Sequence, residues 1–92
     1  MRRFSDVISR QLALFAEDGL LEEVHEAKTR YDRAPRDEAE EAFGDYMDVV
    51  DTAKSELAAL RDRYAATLDA DTVEEYEDAF ERAARKRWRW LA

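Results

Sequence analysis

One histidine, twenty-three carboxylates and a C-terminal run of arginines and tryptophans are the groups in this sequence able to do chemistry. Glu22 and His25 stand one helical turn apart in Glu-Glu-Val-His, a spacing that brings a carboxylate and an imidazole to one metal ion. Two ligands do not complete a site. The others would have to come from facing helices, and the phase of this segment turns both residues toward solvent. A metal centre would therefore need two copies of the motif brought together by a symmetric dimer. Glu41, Asp45, Asp48, Asp51 and Asp62 recur on the outer positions of one long helical pattern. They form either a solvated face or a surface for a basic partner. Nucleophilic catalysis has no support: Ser5, Ser9 and Ser55 lie in helical or capping contexts, and His25 alone would have to serve any of them. Two glycines 25 positions apart make no phosphate loop.

The chain ends RKRWRWLA. Cations in the last turns of a helix complement its negative end, each contributing about 0.3–1 kcal/mol. A tryptophan ringed by arginines also has the composition of a protein-interface hot spot. Helical phase puts Trp90 and Leu91 near the apolar seam, where they close the bundle end. Trp88 falls outside the seam beside Arg85 and Arg89, either half-buried beneath arginine side chains or exposed. Arg85, Trp88, Arg89 and Trp90 are the candidate partner-binding residues.

Charge is unevenly distributed within a formal net of -8. Residues 36–81 hold 4 cations against 16 anions, whereas residues 82–92 hold 5 cations and no anion. So acidic a middle repels nucleic acid over most of the surface and disfavours it as a partner. The absence of cysteine excludes disulfides, thiolate metal sites and cysteine nucleophiles. No apolar run is long enough to span a membrane. Asp6, Ser9, Arg10 and Gln11 interrupt any signal-peptide core, so a cytoplasmic protein is expected.

The elements that must position these groups are helices. With 2 Gly and 1 Pro in 92 residues there is little from which to build loops. Helices are expected at about 5–17, 20–33, 37–68 and 72–90, forming one domain over 1–92. Pro35 separates the second helix from the third, and acids at Asp37, Glu38, Glu40 and Glu41 crowd the next helix start. The third helix carries Phe43, Tyr46, Val50, Ala53, Leu57, Leu60, Tyr64 and Leu68 at steps of 3 and 4, a coiled-coil-like seam. Ala42, Met47 and Val49 widen this face enough for two neighbours. Asp71 or Thr72, with Glu74 or Glu75, offers a capping box for the fourth helix, whose seam reads Val73, Tyr76, Phe80, Ala83, Arg87 and Trp90.

Two short helices, rather than one long one, fit the N-terminal third. Phe4, Val7, Ile8, Gln11, Leu12, Leu14 and Phe15 centre on one direction, and Leu20, Leu21, Val24, Ala27 and Tyr31 on one roughly 180° away. The face switches at Glu17-Asp18-Gly19, where Gly19 suits a left-handed Schellman stop.

The fold expected is an all-α, small antiparallel bundle of three to four helices with the long third helix as its spine. The end of the fourth helix is expected near the start of the third, with the basic tail facing Asp37, Glu38, Glu40 and Glu41. The wide spine, the broad apolar arc of the first helix and the small core favour a non-enzymatic, self-associating helical interaction module that needs no cofactor and contacts its partner through the tail. Two alternatives are a dimer-assembled, ferritin-like metal-binding protein using Glu22 and His25, and an acidic inhibitor or antitoxin-type protein masking a basic partner.

Overall fold

The structure, a computed structural model, describes residues 3–91. Four α-helices follow one another: α1 (Ser5–Ala16), α2 (Gly19–Arg33), α3 (Ala39–Ala65) and α4 (Ala70–Arg87), with a closing 3-10 turn at Arg89–Leu91. No strand occurs among the described residues. The expected bundle with a long third helix is what forms, with no helix end more than three residues from its expected place.

Each boundary has a local cause. Glu17 and Asp18 form the break between α1 and α2. Asp18 is extended, and its carboxylate accepts the Leu20 backbone N–H at 3.2 Å, capping α2. Gly19 is therefore the first residue of α2 and not a left-handed stop for α1; no described residue has a positive φ. Beyond α2, the Pro35 carbonyl accepts the Glu38 N–H at 2.9 Å, and this turn delays α3 to Ala39. The Thr67 hydroxyl donates to the Tyr64 carbonyl at 2.7 Å in the turn that ends α3. The expected capping box of α4 is not made. Asp69 is the N-cap, without a side-chain cap bond, and the Thr72 hydroxyl donates back to the Asp69 carbonyl at 3.2 Å.

Aromatic contacts fix the topology. Tyr31, late in α2, meets Phe43 and Tyr46, early in α3, so these helices are antiparallel. Tyr76, early in α4, packs on Tyr64, late in α3, so α4 is antiparallel to α3. Phe4 meets Tyr76, and Phe15 meets Trp88, so α1 runs parallel to α4. It follows that α1 and α2 run one after the other in the same direction, both against α3, in a molecule 51 Å long and 19 Å across.

The core is one cluster drawn from all four helices, including Ile8, Leu12 and Phe15 of α1, Val24 of α2, Val50, Ala53 and Leu57 of α3, and Tyr76 and Phe80 of α4. The face switch between α1 and α2 follows from this. The apolar arc of α1 packs along α4, whereas that of α2 packs along α3. Two seam residues stay outside: Leu14 is 62% exposed and Phe43 is 45% exposed. The arc of α1 is wider than its neighbours can cover, and α4 does not reach as far as Phe43. In α4 the seam passes through Ala84, which is buried, while Arg87 is exposed.

Candidate functional site

The register of α4 on α3 divides the molecule into two parts. With Tyr76 opposite Tyr64, Arg61 Nη1 sits 2.7 Å from Glu81 Oε1, and Lys54 and Arg85 line the same groove. The C-terminal half of α3 is thus covered by α4. The N-terminal half has α2 as its one neighbouring α-helix, with the tail residues Trp88, Arg89 and Trp90 reaching as far as Tyr46. This two-helix portion, which on α3 runs from Ala39 to about Thr52, is an arm projecting past the end of α4.

On the side of the arm that faces the tail, Tyr31 and Tyr46 lie with ring planes within 5° and centroids 6.3 Å apart, and Phe43 packs on Tyr31 at 5.2 Å. Tyr31, Tyr46 and Met47 are half-buried and Phe43 is exposed. Counted at 100° per residue, Phe43 and Met47 lie roughly 40° and 80° round the α3 axis from Leu57. Leu57, Ala58 and Arg61 occupy that stripe where α4 covers it. The arm therefore continues the surface that receives α4, without a helix on it. At its edge, the Lys28 ammonium donates to both carboxylate oxygens of Asp32 at 2.7 and 2.8 Å, and these hydrogen bonds hold its pKa above the usual lysine range.

The basic aromatic tail forms the near border of this face. The helix stops at Arg87, and Trp88 is extended (φ -130, ψ 115), so the 3.6-residue phase no longer places the residues after it. Trp88 turns back onto Phe15 of α1 with centroids 5.4 Å apart, edge-on. The Arg87 guanidinium lies 5.4 Å from its ring centroid. Of the two placements expected for Trp88, half-buried beneath an arginine is the one formed. Trp90 stacks on Trp88 at 6.1 Å and, with Arg89, lines a shallow groove that includes Val24, Lys28 and Tyr46. Trp90 and Leu91 are half-buried as expected, and Arg85 and Arg89 are exposed.

The tail does not meet the acids at the start of α3. Trp88 lies twelve residues beyond Tyr76, and the tail reaches as far as Tyr46, short of Asp37–Glu41. Arg85 pairs with Glu81 of its own helix at 3.2 Å. Among the described residues, Arg82, Lys86, Arg87 and Arg89 make no ion pair, nor do Asp37, Glu38, Glu40 and Glu41.

The remaining candidates are dispersed. His25 and Glu22 are exposed on α2, and no group of three or more His, Asp or Glu able to share a metal ion is found among the described residues. Glu41, Asp45, Asp48, Asp51 and Asp62 are exposed along α3. Asp45 lies 3.9 Å from Arg30, and Asp62 accepts from Arg61 at 2.9 Å. No described helix is long and apolar enough to cross a membrane.

Two polar contacts went unread in the sequence. Tyr76, fully buried, donates to Gln11 Oε1 at 2.9 Å, and Arg61 bridges α3 to Glu81 of α4. Both had a signal. Gln11 falls within the apolar arc of α1, and Arg61 within the apolar stripe of α3; a polar residue in such a position needs a partner. A comparison with protein-family models, curated proteins and solved structures finds no match for this chain.

Proposed function

We propose that this protein is a non-enzymatic helical interaction module whose working surface is the bare face of the arm, bordered by the basic aromatic tail. One observation carries the reading: the stripe of α3 that receives α4 runs on past the end of α4, leaving Phe43 45% exposed among Tyr31, Tyr46 and Met47. Aromatic residues, methionine and arginine are the types enriched in protein interfaces. The tail enters this reading in two parts. Trp88 and Trp90 brace the end of the bundle, whereas Arg85 and Arg89 present charge beside the bare face.

A photo-activatable residue placed at Phe43 in the living cell tests this reading, with Asp62, exposed on the same helix beyond the arm, as control. Position 43 is expected to give discrete protein adducts and position 62 none. Equal labelling at the two positions, or none at 43, would count against the arm as a contact surface.

A further inference from the structure

We infer that the occupant of the arm is a second copy of this chain, docked antiparallel about a two-fold axis that crosses α3 near Tyr46. The inference rests on the interaction reading above and adds its partner and geometry.

Length is the first argument. α4 ends level with about Thr52, and α3 begins at Ala39, so thirteen steps of α3, roughly 20 Å, carry no third helix. The midpoint of that segment is at Tyr46, where the tail forms its border. A two-fold axis there lays each such segment along the whole of its copy, with Phe43 of one chain level with Val49 of the other. The arm tip of the second copy then arrives where α4 stops. Its α3 runs in the same direction as α4 and takes up the line that α4 leaves. A two-fold contact of this kind is self-complementary, which is what one surface meeting itself requires.

Charge is the second argument. The end of α4 carries Arg85, Arg87 and Arg89, all exposed. The arm tip carries Asp37, Glu38 and Glu40, also exposed. Within one chain the two sets form no ion pair. In the dimer each meets the opposite set twice, once at either end. Helix dipoles agree with this arrangement, because the negative end of α4 faces the positive end of the partner's α3. The basic tail of an acidic protein is thereby matched by the acids of its own second copy.

The cysteine-free sequence makes the geometry measurable. Single cysteines carrying spin labels are introduced at Asp48 or at Asp62, both exposed and outside the aromatic stripe. With the axis at Tyr46, two Asp62 positions lie roughly 48 Å apart along the dimer and two Asp48 positions only about 6 Å apart. The expected result is a short label separation for Asp48→Cys and one near 50 Å for Asp62→Cys. A short separation at both sites means a parallel pair and overturns the proposal. So does the absence of dipolar coupling at both sites, which means a monomer. If the purified chain is monomeric while position 43 still crosslinks to other proteins in cells, the dimer fails and the interaction reading stands. A charge exchange checks the ends separately. Arg85→Glu with Arg89→Glu should weaken dimerisation about tenfold or more, and adding Asp37→Arg with Glu40→Arg should restore it. An unchanged dimerisation constant in the first variant would remove the charge argument.

Discussion

At the scale of single residues, the pair buried in the core makes the sharpest claim. Tyr76 is fully buried, and its hydroxyl depends on Gln11, 65 positions earlier, for a partner. Gln11→Leu leaves that hydroxyl without an acceptor and should cost about 1–3 kcal/mol. Tyr76→Phe should be similarly costly alone, and the double variant Gln11→Leu with Tyr76→Phe should lose less than the sum of the two. Urea unfolding of all four proteins checks this double-mutant cycle. Burial also raises the Tyr76 pKa above the ordinary tyrosine value. The fold thus favours the neutral phenol. That contribution is complete below pH ~10, where the unfolded chain also keeps the proton, and is lost as pH rises through the raised folded value. Stability should fall above pH ~10, and less steeply in Tyr76→Phe. The sequence placed both residues on apolar faces. It could not pair them, because their meeting depends on the register of α1 against α4, and no local spacing encodes that register.

Helix starts and stops were legible to within a few residues, and the discrepancies are informative. Breaking the N-terminal third was correct, because a reversal of the apolar face cannot be carried by one straight helix. The residue responsible was misread: Asp18, not Gly19, makes the break, by capping α2. A cap and a Schellman stop predict opposite responses. Gly19 has negative φ, and a Cβ built there meets nothing within 4 Å. Gly19→Ala should therefore leave stability unchanged or raise it by up to about 1 kcal/mol. A left-handed glycine would give a loss. Asp18→Ala should cost about 1 kcal/mol. Thermal unfolding of the two variants separates the alternatives. The far end of α4 was misplaced for a related reason. Helical phase extrapolates only while the helix lasts, and Trp88 leaves it, so the seam could not be followed to Trp90.

For the whole molecule, the consequential quantity is the difference in length between α3 and α4, 27 residues against 18. The wide apolar face of α3 was visible in the sequence, as was its capacity for two neighbours. That the second neighbour stops halfway was not drawn from the pattern, although the shorter repeat of α4 contained it. The same mismatch separates the basic tail from the acidic start of α3 within one chain. It leaves the aromatic arm without a third helix and, in the proposed dimer, makes the two ends complementary between copies. The chain mass in solution is the most direct test, by light scattering over a range of concentrations for the intact protein and for Phe43→Glu, a change at a side chain already 45% exposed. A dimer through the arm gives twice the chain mass of 10.8 kDa for the intact protein and the single chain mass for Phe43→Glu, with equal helical circular dichroism. An intact protein that remains at 10.8 kDa at every concentration, or a Phe43→Glu variant that keeps the doubled mass, would contradict it.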